Sequence, residues 1–271
     1  MPFTLRDGVK IHWDEKGEGT PVLLIMGHRY SSAMWYPILP ALTAAHRTIW
    51  FDNRGTGQSG YSRKLTVGEM AADAFAVMDA AGVERAHVFG VSMGGGIALE
   101  MAIQRPEWLT SLILGCTGAL TAEKRRMPAI MRGLYYLPPW ALRMLLSGGR
   151  GNHGYGSAAP PDRVVIDREM SDKDKYATPG VVAQAAAVSN HCTTLEAVAG
   201  ITAPTLVLHG DEDELVPLAW GEELAATIPG ARLVKLQGAG HNILVAAGEP
   251  ATAAVLEFLA EADARAKVGA P

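Results

Sequence analysis

The chain has 271 residues, 48% hydrophobic and 19% charged, with 24 basic against 28 acidic side chains. That length suits one large α/β domain, or one domain carrying an insertion, and it can bury a core without disulfide or metal staples. A net charge of −4, with no basic cluster longer than Lys124-Arg125-Arg126, argues against nucleic acid as a partner.

The two cysteines, Cys116 and Cys192, stand far apart and give neither a disulfide framework nor a zinc site. Residues 1–7 lack the charged and apolar regions of a signal peptide. The apolar run 22–26 is too short to cross a bilayer. A cytoplasmic protein with no membrane partner is expected.

In chain order, residues 10–14 alternate in polarity as a half-exposed strand does. Residues 22–26 (Val-Leu-Leu-Ile-Met) are continuously apolar up to Gly27, as in a strand buried on both faces. Residues 47–52 give a third strand, closed by the turn-forming Asn53-Arg54-Gly55-Thr56-Gly57. A helix is predicted over 66–81, with Thr66 as N-cap and Gly82 as the stop. Strand 86–90, helix 93–104 (ended before Pro106) and strand 111–115 follow. From about 119 to 200 the strand signal disappears, leaving helical patches and a Gly/Pro-rich stretch, 147–161, that reads as a mobile loop. Strand 204–209, helix 219–227, strand 231–236 and helix 249–264 complete the chain. This alternation predicts a mostly parallel, doubly wound α/β sheet, with a helical insertion between its two parts.

Gly90-Val91-Ser92-Met93-Gly94 lies between a predicted strand and a predicted helix. On such a turn a serine adopts strained dihedrals, and side chains at the two glycines would strike neighbouring backbone. The turn lifts the Ser92 hydroxyl above the sheet. Downstream, Gly210-Asp211-Glu212-Asp213 follows one strand and Gly238-Ala239-Gly240-His241-Asn242 the next. In a parallel sheet all three segments fall at one edge, where ligands bind. There His241 would take the Ser92 proton while a carboxylate fixes its tautomer. Asp211 and Asp213 both qualify as that acid.

The Gly-x-Ser-x-Gly turn, followed in chain order by acid and histidine, resembles the α/β-hydrolase superfamily over nearly the whole chain. More narrowly it is similar to cap-bearing serine esterases and lactonases, including anthracycline-type methylesterases and cofactor-free haloperoxidases. The resemblance selects Asp213, because Gly210 to Pro217 matches Gly-x-x-Asp-x-x-Val-Pro. It implies an oxyanion hole from the backbone N–H groups of His28 and Met93. Met26-Gly27-His28 stands where relatives usually carry His-Gly-x. Asp52-Asn53-Arg54-Gly55-Thr56-Gly57-Gln58-Ser59 resembles a family turn that is mainly architectural, read here as self-bonded through Asp52 and Arg54.

The resemblance divides the chain into a first core segment (1–118), a helical cap (119–200) and a second core segment (201–271). The cap's Met131, Tyr135 and Trp140, with Arg29 and Trp35 from the core, are candidate walls of an apolar pocket. Glycines within 148–156 supply a segment that could gate entry. The implied activity is cofactor-free and metal-free hydrolysis of a carboxylic ester or lactone of an apolar small molecule through an acyl-enzyme. Perhydrolase or haloperoxidase chemistry, acyl transfer, thioester cleavage and a non-enzymatic ligand receptor are the alternatives. Asn242, where ring-cleavage carbon–carbon hydrolases commonly carry tryptophan, demotes that branch.

Overall fold

The computed structural model describes residues 2–122, 124 and 154–268. Its strands are β1 (Phe3–Arg6), β2 (Val9–Lys16), β3 (Pro21–Ile25), β4 (Arg47–Phe51), β5 (Ala86–Val91), β6 (Leu109–Gly115), β7 (Thr205–Gly210) and β8 (Arg232–Leu236). They form one sheet in the order β1-β2-β4-β3-β5-β6-β7-β8. The first two pairings, β1 with β2 and β2 with β4, are antiparallel, and every other pairing is parallel. β5, β6 and β7 are buried along nearly their whole length, as parallel strands covered on both faces must be.

The helices are α1 (Leu39–Ala45), α2 (Val67–Ala80), α3 (Met93–Gln104), α4 (Pro161–Lys173), α5 (Thr178–Asn190), α6 (Leu195–Ala199), α7 (Leu218–Thr227), α8 (Ile243–Ala246) and α9 (Gly248–Val268). α2 starts on a reciprocal cap. The Thr66 hydroxyl accepts the Glu69 N–H at 3.1 Å, and the Glu69 carboxylate accepts the Thr66 N–H at 2.7 Å. One face of the sheet packs Leu23, Ile49 and Leu112 against Met70, Met78, Ile97 and Leu224 of α2, α3 and α7. The opposite face packs Leu24, Ile113 and Leu206 against Leu42, Val255 and Leu259 of α1 and α9. Among the described residues no helix is long and apolar enough to cross a membrane.

α4, α5 and α6 are inserted between β6 and β7, and the insertion is bonded to the core. Gly57 donates its N–H to the Lys175 carbonyl at 2.7 Å, and Ala177 donates to the Gly55 carbonyl at 2.8 Å. Ser31 donates both its N–H (2.8 Å) and its hydroxyl (2.5 Å) to the Asp174 carboxylate.

Two expectations are corrected. In the 52–59 turn, Asp52 and Arg54 do not pair with each other. Asp52 accepts the Ser32 N–H and hydroxyl (2.9 and 2.7 Å) and faces His12 at 3.1 Å, whereas Arg54 grips Asp73 at 2.6 and 2.7 Å. The turn is self-bonded through Asp52, which also accepts the Gln58 N–H at 2.8 Å, and the expectation fails only for Arg54, which leaves the turn for Asp73. The end of the stretch read as a mobile loop, residues 154–160, is hydrogen-bonded to the loop after β8 and leads into α4.

Candidate active site

The turn over residues 90–94, an elbow between β5 and α3, has the conformation its sequence requires. Ser92 has φ 54° and ψ −120°, a region a side-chain-bearing residue occupies only when its surroundings enforce it. Its N–H donates to the Gly115 carbonyl at 2.8 Å, and its carbonyl accepts the Gly95 N–H at 2.9 Å. A Cβ at Gly90 would run into the carbonyl of Gly94, and one at Gly94 into the carbonyl of Ile25. These two positions let β5, α3 and β3 approach closely enough to form the turn.

Three loops converge on Ser92. His241 places Nε2 2.9 Å from the Ser92 Oγ and Nδ1 2.8 Å from the Asp213 Oδ2. An ionised carboxylate only accepts, so Nδ1 carries the proton and Nε2 turns its lone pair to the hydroxyl. The other Asp213 oxygen accepts the N–H groups of Leu215 (2.8 Å) and Val216 (2.9 Å). Burial pushes the Asp213 carboxyl up, but the bonds from His241, Val216 and Leu215 outweigh it and hold the group below the usual carboxylate range. Asp211 points elsewhere: its Oδ1 accepts the Gly238 N–H at 2.7 Å.

The loop after β3 lies against Ser92, for a Cβ on Gly27 would sit 3.3 Å from the Ser92 Cβ. His28 follows on that loop. Met93 opens α3, so its N–H has no acceptor within the helix. The His28 imidazole donates from Nε2 to the Val181 carbonyl at 3.0 Å. Burial, opposed by that bond and assisted by the Arg29 charge, lowers its pKa to about 4, so it is neutral at pH 7.

A cleft opens over Ser92. Val67, Leu120, Val188, Leu215, Val216 and Trp220 supply apolar walls, and Thr117, Lys124, Ser189 and His191 supply polar atoms. The Lys124 ammonium is held by Glu223 and the Ala119 carbonyl and lies 4.9 Å from the centre of the Trp220 ring.

Two expected pocket residues stand away from this cleft. Trp35 is fully buried, packed on Phe89 with ring centres 4.9 Å apart. Its indole thus belongs to the core face beneath α1. Arg29 folds onto the adjacent Tyr30, with its guanidinium carbon 4.9 Å from the ring centre and a 2.9 Å bond to the hydroxyl. Met131, Tyr135 and Trp140 lie outside the described residues. The sequence reading missed Trp220, although it stands three residues beyond the Val-Pro that follows the acid. It also missed Val188, Ser189 and His191, which carry no local signal because the insertion brings them in from a distance.

Among the described residues, one group has metal-ligand spacing: Cys116, Asp213 and His241, within 4.8 Å of one another. Two of these are the carboxylate and imidazole just described. Burial, first of all, pushes the Cys116 thiol far above its ordinary pKa, and the Asp213 charge adds to that. The thiol is thus neutral, and both ring nitrogens of His241 are already engaged, Nδ1 by Asp213 and Nε2 by Ser92.

The family model described as the α/β hydrolase fold matches residues 20–155. The chain belongs to the α/β-hydrolase family. A second model, described as TAP-like protein, matches residues 182–269 of this hydrolase-family chain. A protein of Azorhizobium caulinodans, provisionally named carbamate hydrolase RutD, is 30% identical over 97% of this chain and 100% of its own length. A Mycobacterium tuberculosis protein, provisionally named non-heme bromoperoxidase BpoC, is 31% identical over 94% of this chain and all of its own. Among solved structures, Est816, described as an N-acyl homoserine lactone degrading enzyme, superposes with a TM-score of 0.82 at 25% identity. That match covers 95% of this chain and 100% of Est816.

Proposed function

We propose that the protein is a serine hydrolase that cleaves a carboxylic ester or lactone of an apolar small molecule through an acyl-enzyme. The observation that carries this reading is the hydrogen-bonded series Ser92–His241–Asp213, 2.9 and 2.8 Å, under a mostly apolar cleft. His241 Nε2 accepts the Ser92 proton as Oγ adds to the carbonyl carbon, and Asp213 stabilises the resulting imidazolium. The oxyanion is received by the His28 and Met93 N–H groups. His241 then protonates the departing alcohol, a water enters, and the same base activates it against the acyl-enzyme. The described part of the insertion, residues 154–200, acts as a cap beside this site, while residues 125–153 of the expected cap lie outside the described residues. The lactone option gains support from the likeness to Est816, and a carbamate carbonyl suits the same geometry.

A second reading has hydrogen peroxide replace water at the acyl-enzyme, giving a peracid that oxidises halide. It is favoured by the run Ser92-Met93-Gly94-Gly95-Gly96 and by the similarity to the protein named as a bromoperoxidase.

The test is a panel of p-nitrophenyl esters, lactones of graded size and an aryl carbamate, assayed with wild type and Ser92→Ala. Turnover by wild type and a loss of at least ~10³-fold in the variant are expected. Equal rates in the two proteins would remove Ser92 from the chemistry. Peroxide-dependent bromination alongside ester cleavage would favour the second reading.

A further inference from the structure

Asp167, on α4 of the insertion, is 2% exposed and takes no part in the chemistry above. Its carboxylate accepts three hydrogen bonds from three separate stretches of chain. The Tyr36 hydroxyl donates to Oδ1 at 3.1 Å, and the Tyr155 hydroxyl and the Asn242 Nδ2 donate to Oδ2, each at 2.9 Å. Asn242 is the residue directly after His241.

The backbone on the two sides of this carboxylate is also joined. Asn242 donates its N–H to the Gly154 carbonyl at 2.6 Å, Gly240 donates to the Tyr155 carbonyl at 2.8 Å, and Ala158 donates to the Gly238 carbonyl at 2.8 Å. Chain 154–158 therefore runs along loop 238–242 with paired backbone groups. Asp167 fastens one side chain from each strip, Tyr155 and Asn242, to α4. Burial pushes both tyrosine hydroxyls up, reinforced by the Asp167 charge, so they remain donors across the working pH range.

We propose that Asp167 is a positioning residue for His241: by holding Asn242 and Tyr155 it fixes the loop that keeps the imidazole Nε2 on the Ser92 hydroxyl. The proposal rests on the reading of His241 as general base. Displacing a general base by even 1 Å costs on the order of a hundredfold in rate, while the substrate cleft touches neither Asp167 nor Asn242. Loss of the link thus lowers kcat and spares KM.

The experiment compares Asn242→Ala, Asp167→Asn, Asn242→Asp and the exchange variant Asp167→Asn/Asn242→Asp with wild type. Readouts are kcat and KM on p-nitrophenyl butyrate, the rate of Ser92 labelling by a fluorophosphonate, and the thermal midpoint. The single variants are expected to lose roughly ten- to a hundredfold in kcat and in labelling rate at near-constant KM. The exchange variant restores the link between positions 167 and 242 but turns the new amide NH2 toward the Tyr155 hydroxyl, so it is expected to regain only part of the loss. If Asp167→Asn does not fold, Asn242→Ala and Tyr155→Phe carry the test. A kcat within about twofold of wild type in Asn242→Ala overturns the proposal. Ser92→Ala and His241→Ala run beside them. If those two abolish turnover while Asn242→Ala does not, only the positioning role fails. If they retain turnover, the functional reading fails and the positioning role with it.

Discussion

Gln184, wholly buried on α5, accepts the backbone N–H of Arg29 on its Oε1 at 2.9 Å and donates its Nε2 to the Arg54 carbonyl at 2.8 Å. One side chain of the insertion thus fixes the loop that carries His28. Arg29 has φ 73°, a left-handed conformation that costs a non-glycine residue energy unless a partner holds it. Gln184→Met, similar in length but without the amide, leaves both backbone groups unpaired at about 1–3 kcal/mol each. A drop in thermal midpoint and a fall in kcat are expected together, read by calorimetry and ester turnover. Wild-type values for both would show that the loop holds its shape without Gln184.

Gly94 and Gly96 lie two residues apart on α3 and are expected to respond in opposite ways to alanine. A Cβ at Gly94 meets the Ile25 carbonyl, whereas a Cβ at Gly96 meets nothing within 4 Å. Gly94→Ala is expected to abolish activity or folding. Gly96→Ala is expected to stabilise α3 by about 0.5–1 kcal/mol, since alanine is the better helix former. Gly96 lines the cleft, so the added methyl should raise KM for long acyl chains more than for acetate.

The two aspartates of the acid loop are separable by mutation. Asp213→Asn removes the charge facing His241 and favours the wrong tautomer, so kcat is expected to fall by roughly 10³–10⁴. Asp211→Asn keeps an oxygen that can accept from Gly238 and should change kcat by no more than about threefold, within what one exposed loop bond contributes. The opposite pattern would move the acid to position 211.

Acid sensitivity is expected in part from His28. Its folded pKa of about 4 lies below the ordinary imidazole value of 6.5, so between those pH values the unfolded chain binds the proton and the folded chain does not. Stability from this group is complete above pH 6.5 and is lost as pH falls toward 4. His87 and His209, lowered chiefly by burial, act in the same direction. Burial raises the carboxyls of Asp73, Asp167 and Asp174, which act the other way. The clean measurement is therefore a difference: the thermal midpoint of His28→Gln should fall less than that of wild type between pH 6.5 and 4. Parallel curves would assign the effect to other groups.

Much of the sheet was legible because its central strands are continuous apolar runs, and because Thr66, Gly82 and Pro106 mark helix ends through local sterics and capping. β1 escaped, although Asp7 and Gly8, with φ 51° and 75°, make the tight turn that Asp-Gly favours in a hairpin. Only four residues precede that turn in β1, too few to show a period. α1 escaped because Leu39–Ala45 is only seven residues long and begins without a side-chain cap.

The sequence alone determined the elbow, since the reason for Gly90 and Gly94 is contained within five residues, and it determined that an acid and a histidine would follow at the same sheet edge. Tertiary structure decided the rest. It sent Trp35 into the core, folded Arg29 onto Tyr30, and anchored the His28 and His241 loops to Gln184 and Asp167 of the insertion. Each of these depends on which distant backbone and side-chain groups become neighbours once water is excluded. Local propensity and spacing carry no record of that.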